Sequence, residues 1–241
     1  MKIKYLLVVA PLMVAAVSSF GTVYFQNNGT KEGWPNYPQK PEAKGTISDV
    51  TTPTYHSTSA IKFTQTFEKG YTGRYHSEVD YEGASNTGLD RYFGMTVFLP
   101  SGWVYAKDQV NIQQWAGTGP WIIMRVDGTD LLVNFDHLPG GLNGEPHLQA
   151  MPNGQWVRIV THILSKSSGG KFEVTINGTK KMSKTGNFVA PGNGGAIRWS
   201  TGCYVSGWYQ QSKPQGPSER IVYGTHYRIA STEAEAEPAN W

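Results

Sequence analysis

Cysteine is almost absent from this 241-residue chain. Cys203 stands alone, so no intramolecular disulfide can form and stability must come from a packed core, with Cys203 itself reading as a small buried hydrophobe. Charge of one sign is also lacking: the formal charge is +3, which falls to +1 without Lys2 and Lys4. A nucleic-acid binder would carry a clustered basic excess, and none is visible, so any anionic ligand must be met by a local group of cations. Long apolar runs are missing beyond the first residues, which excludes spanning helices. Sustained helical periodicity is missing too. Histidines do not share a metal-ligand spacing: His137, His147 and His162 each stand apart, which argues against a zinc site.

What is present begins with Met1-Lys2-Ile3-Lys4, an apolar run from Tyr5 to Val17, then Ser18-Ser19. Two cations, a short greasy segment and small residues are the pattern of a secretory signal peptide over residues 1–19. Residues 20–241 are then expected to be one secreted, extracellular domain, monomeric, with a short acidic tail carrying Glu233, Glu235 and Glu237. Glycine is abundant, and short alternating runs are separated by Gly, Pro, Asn and Ser. That spacing predicts an all-β sandwich or jelly roll rather than alternating β and α units.

The predicted strands run from Thr22 to Gln26, Ile61 to Phe67, Tyr92 to Leu99, Val110 to Trp115, Trp121 to Val126, Leu131 to Phe135, Trp156 to Leu164, Phe172 to Ile176, Ile197 to Val205 and Arg220 to Ile229. Asn177-Gly178 reads as a hairpin turn, and Asn28 and Asn177 each open a glycosylation acceptor triplet. One further strand, Gly73 to Glu82, differs in kind. It sends Arg74, His76, Glu78, Asp80 and Glu82 to one face and Tyr75, Ser77, Val79 and Tyr81 to the other. A solvated outer strand explains some alternating charge. Five titratable groups in a row fit better along a binding cleft. Gln113-Gln114 and the late segment Tyr223 to Arg228 add polar groups on strands, and Trp208-Tyr209, just before the loop Lys213 to Pro217, is the predicted cleft wall. Each of these residues also has an ordinary structural use, as an ion pair, a core aromatic or a wet surface group.

Gly73-Arg74-Tyr75-His76-Ser77-Glu78, Gln113-Gln114-Trp115, Trp156 to Ile163 with Phe172 to Gly178, and Ile221-Val222-Tyr223 leading to Ser231 together resemble the glucuronan lyases of polysaccharide lyase family 20. The resemblance covers essentially the whole chain after the leader. It implies a β-jelly roll of two curved antiparallel sheets, with the substrate on the concave one. The implied reaction is β-elimination on a linear β-1,4-linked polyglucuronate, with no redox cofactor, and the implied ion is a structural calcium. Its ligands cannot be read from the sequence, because Thr225 stands where related sandwiches carry an acidic residue.

The chemistry requires donors that neutralise the C5 carboxylate, a base for the C5 proton and an acid for O4. By that resemblance Gln114, Arg74 and His76 are the expected donors. Tyr223 is the expected acid and base, with neutral His76 as the rival base. Glu78, Gln113, Trp208 and Tyr209 are expected to bind substrate. A non-catalytic carbohydrate-binding module on the same sandwich, or a lyase for another uronate such as alginate, are the competing readings.

Overall fold

The computed structural model describes residues 21–35, 42–85, 88–117, 120–135, 138, 144–189 and 196–241; the proposed leader and His137 lie outside them. Fourteen strands follow in chain order: β1 (Val23–Asn27), β2 (Thr46–Val50), β3 (Ala60–Thr66), β4 (His76–Ser85), β5 (Asp90–Phe98), β6 (Val110–Ala116), β7 (Pro120–Asp127), β8 (Asp130–Asn134), β9 (His147–Ala150), β10 (Trp156–Leu164), β11 (Gly170–Ile176), β12 (Thr179–Gly186), β13 (Ala196–Val205) and β14 (Glu219–Ala230). They form two antiparallel sheets. One is eight-stranded, in the order β12-β11-β10-β5-β14-β3-β2 with β1 also paired to β14. The other is six-stranded, in the order β4-β13-β6-β7-β8-β9. This is the jelly-roll sandwich that the sequence predicts.

Alternation explains how the layers meet. On β3, Ile61, Phe63 and Gln65 are buried while Lys62 is only partly so; on β4, Tyr75, which precedes the strand, Ser77 and Val79 point inward. Aromatic rings bridge the layers: Phe93 of β5 meets Trp115 of β6 at 5.7 Å and Trp199 of β13 at 5.4 Å, both near edge-to-face. Burying each such ring stabilises the fold by roughly 1.5–3 kcal/mol relative to exposure. Gln65 donates to Ser77 Oγ at 2.7 Å, and that hydroxyl donates to the Thr64 carbonyl at 2.8 Å, so the buried amide nitrogen and hydroxyl inside the sandwich have partners. Cys203 is fully buried, as the sequence predicts.

The predicted hairpin at Asn177-Gly178 is present, with φ of 50° and 78°, the left-handed pair that a two-residue β-turn of this hand requires. The acidic tail is not the solvated end without packing duty that its composition suggests. Glu233–Ala236 forms a short helix, α1, capped by Thr232, whose side chain accepts from the Glu235 amide. The Ala236 carbonyl sits so close to Gly94 that a Cβ there would come within 1.7 Å of it, and Arg158 Nε donates to Glu237 at 2.7 Å. Apolar Ala236 and a carboxylate with a waiting arginine give these residues a packing role on the eight-stranded sheet. Among the described residues no helix is long and apolar enough to cross a membrane.

Candidate active site

The outer face of the six-stranded sheet holds a cleft of about 580 Å³ crossing β4, β13, β6, β7 and β8, with Arg74, His76, Asn111, Gln114, Arg125, Asn134, Arg198, Tyr204 and Tyr209 among its lining residues. Alternation puts them there. On β4 the outward set is His76, Glu78 and Asp80; on β13 it is Arg198, Ser200 and Tyr204, between the buried Ile197, Trp199, Thr201, Cys203 and Val205. On β6 a bulge between Asn111 and Gln113 resets the phase, so that Asn111 and Gln114 both reach the cleft.

Glu78 organises the centre. It is only 1% exposed and is not itself part of the cleft lining. His76 Nδ1 lies 2.6 Å from Glu78 Oε2, and Gln114 Nε2 donates to both Glu78 oxygens at 2.9 Å. The second bond spans a whole strand, from β4 across β13 to β6. Gly202 is the β13 residue paired with Glu78, so no side chain intervenes; a Cβ there would come within 2.3 Å of the Ser77 carbonyl oxygen. In the neutral imidazole, donation from Nδ1 to the carboxylate leaves the lone pair on Nε2. Gln114, equidistant from the two oxygens, engages Glu78 with one N–H and keeps its second for the cleft.

Tyr204 stacks on His76, with ring centroids 3.7 Å apart and planes 18° from parallel. Burial pushes the Tyr204 pKa above its usual 10; the charge and hydrogen bond of Arg74 oppose the rise, and the charges of Glu78 and Glu42 add to it. The group is therefore a protonated phenol at neutral pH. Arg74 precedes β4 rather than lying on it, and its guanidinium stands 5.9 Å from the Tyr209 ring centroid.

Of the predicted site residues, the structure brings Arg74, His76, Gln114 and Tyr209 together in the cleft, with Glu78 directly beneath. Three others are elsewhere. Tyr223 lies on β14, in the eight-stranded sheet. Its neighbour Val222 faces the core, and Tyr223 faces out against Phe98 at 5.8 Å. Burial raises its pKa, and Arg74 and His76, the cations expected to lower it, line the cleft of the other sheet. Trp208 is fully buried between Phe67 and Tyr75, at 5.7 and 5.3 Å, because the one-turn helix Ser206–Trp208 turns it inward. Gln113 is fully buried, on the opposite side of β6 from Gln114. Tyr204 is the residue the sequence reading missed; its signal was the Arg198, Ser200, Tyr204 alternation within a strand already predicted.

Among the described residues no group of three or more His, Cys, Asp or Glu comes together to hold a metal ion. Thr225 is engaged by Ser57 Oγ and the Ser59 carbonyl, both at 3.3 Å. These residues do not fit the carboxylate cage that calcium prefers. His162 is held by Asp90 at 2.8 Å and Glu173 at 3.0 Å on the other sheet, and His147 by Asp130 at 3.1 Å.

Comparison with known proteins identifies the family. The chain is 25% identical to the endo-β-1,4-glucuronan lyase of the fungus Trichoderma reesei, whose solved structure superposes with a TM-score of 0.81 over 91% of this chain and 100% of that one. The cellulose-induced protein Cip1 matches at 16% identity and a TM-score of 0.57, over 83% of this chain and 91% of that one. The family 7 alginate lyase A1-II′ matches at 12% and 0.52, over 70% and 79%. These last two likenesses are of fold alone. No curated protein matches the sequence. A family model described as polysaccharide lyase matches residues 26–224, most of the chain, and the protein therefore belongs to the polysaccharide lyase family.

Proposed function

We propose that this lyase cleaves β-1,4-linked polyglucuronate by β-elimination in the cleft of the six-stranded sheet, as an exported enzyme. One observation carries the reading: His76 and Tyr204, stacked on neighbouring strands, present a base and an acid from the same side of the cleft. In a glucuronate the C5 proton and the C4 oxygen lie on the same side of the ring, so both proton transfers need groups on one face.

The step then balances as follows. His76 Nε2 takes the C5 proton, the C5–H electron pair becomes the C4–C5 double bond, the C4–O4 bond breaks, and O4 leaves with the phenolic proton of Tyr204. Negative charge builds on the C5 carboxylate as the proton leaves. The second N–H of Gln114 and the Arg74 guanidinium are the groups that meet it, and donors already aimed at developing charge are the effective kind. Glu78 holds the imidazole tautomer and the Gln114 amide without touching substrate. Tyr209, 40% exposed at the cleft edge, offers a ring face to a sugar. The 25% identity and full coverage of the Trichoderma enzyme support glucuronan over other uronates.

Incubating the purified protein with glucuronan and with alginate tests this. Ultraviolet absorbance from the new C4–C5 double bond should rise on glucuronan first. A rise on alginate alone would move the specificity to mannuronate or guluronate, and a rise on neither would return the fold to a carbohydrate-binding role.

A further inference from the structure

On β7 and β8, the two strands beyond β6 and its Gln114, the cleft contains a carboxylate already bound. Arg125 of β7 and Asn134 of β8 line the cleft, are 8% and 5% exposed, and both donate to Glu145 Oε1 through Arg125 Nη2 and Asn134 Nδ2. Arg125 Nη1 also donates to Gln109 Oε1 at 3.4 Å, which fixes the guanidinium fork from its other side. We infer that Arg125 and Asn134 form a carboxylate subsite for a uronate of the substrate chain, and that Glu145 occupies it as an internal surrogate until substrate displaces it. The inference rests on the polyuronate reading above and adds a binding position to it.

Three physical points support the exchange. A buried guanidinium favours a carboxylate beside it, and Glu145 supplies one while no substrate is bound. A uronate carboxylate replaces Glu145 charge for charge and can accept from the same two donors. Finally, Glu145 can leave without unfolding anything. Its flanking carbonyls accept the amides of β8 and its continuation, Gly144 from Phe135 at 3.3 Å and Pro146 from Val133 at 3.2 Å, so only the side chain, 31% exposed, has to turn to solvent. Strands lie about 4.8 Å apart, so Asn134 is about 10 Å from β6, which places this carboxylate on a neighbouring sugar rather than the one being cleaved.

The test is the affinity for soluble polyglucuronate, read as KM by absorbance and separately by affinity electrophoresis. Glu145→Gln keeps the shape and removes the competing charge. KM and the electrophoretic dissociation constant should both fall about fivefold, because a hydrogen bond to a charged group exceeds a neutral one. Arg125→Gln should raise both, and adding Glu145→Gln to Arg125→Gln should change nothing further. An unchanged or weaker affinity in Glu145→Gln overturns the inference, since Glu145 would then be a fixed support for Arg125. Tighter electrophoretic binding without any absorbance would sink the lyase reading and leave the subsite standing. Absorbance with unaltered affinity would do the reverse.

Discussion

Glu78 and Gln114 meet across an intervening strand, the Gln114 amide nitrogen 2.9 Å from each carboxylate oxygen, and the same carboxylate holds His76 at 2.6 Å. One buried acid therefore sets the orientation of a donor and a base that come from different strands. Replacing it by Glu78→Gln keeps the volume but no longer favours the Nδ1–H tautomer of His76. Turnover should fall by roughly tenfold to a hundredfold, the scale of a misplaced catalytic group, with KM for glucuronan changing much less. Steady-state kinetics on glucuronan check this; an equal loss through KM would make Glu78 a substrate ligand instead.

Trp208 and Tyr209 are neighbours with opposite duties. Trp208→Ala empties a fully buried site beside Phe67 and Tyr75 and should cost about 3–5 kcal/mol of stability. Tyr209→Ala, at an exposed cleft edge, should leave stability within about 0.5 kcal/mol and raise KM. Denaturant unfolding and kinetics on the two variants separate the roles.

Acid should destabilise the protein through His226. Burial pushes its pKa down to about 4 from an ordinary 6.5, and the charges of His56 and Arg228 push the same way. Between those values the unfolded chain binds the proton and the folded chain does not. The contribution is therefore complete above pH 6.5, shrinks as pH falls, and is lost below about 4, at most about 3 kcal/mol in all. Glu173 extends the loss to lower pH: burial raises its pKa, but hydrogen bonds from His162, Lys180 and Ser183 win and hold it at about 2. Melting temperatures at pH 7 and pH 4.5 should differ clearly in the wild type. His226→Asn, which tolerates the residue's φ of 52°, should flatten that difference.

Much of this molecule is legible in its sequence, and the misses have physical causes. The bounds of β10 coincide with the predicted Trp156 to Leu164, because period-two burial is strong on a central strand. β2 and β9 are not predicted, and β12 is legible only as the second arm of the Asn177-Gly178 hairpin, without bounds. All three end a sheet, and edge strands such as Thr179–Gly186, with exposed Lys180, Lys181 and Lys184, carry charge where pairing must stop. The cleft face of β4 was readable from His76, Glu78 and Asp80 alone. Which sheet a late strand joins was not: Tyr204 and Tyr223 both alternate with apolar residues, and only the pairing of β13 with β4 and β6 puts Tyr204 beside His76. Gln113 and Gln114 likewise face opposite ways, and the β6 bulge decides which of them joins Asn111.

The alkaline side of the rate profile carries a separate expectation. Burial keeps the Tyr204 phenol protonated beyond its ordinary pKa of 10. Turnover limited by loss of that acid should therefore persist to pH 10 and decline only above it, as read from kcat against pH on glucuronan.

The measurement that bears hardest on the mechanism is the initial rate of ultraviolet absorbance from glucuronan for Tyr204→Phe beside Tyr223→Phe. The first keeps the ring stacked on His76 and removes the proton for O4, and its rate should fall by about 10²–10⁴-fold with folding intact. The second alters a phenol on the far sheet and should match the wild type. An active Tyr204→Phe, or an inactive but folded Tyr223→Phe, would contradict elimination in this cleft by His76 and Tyr204.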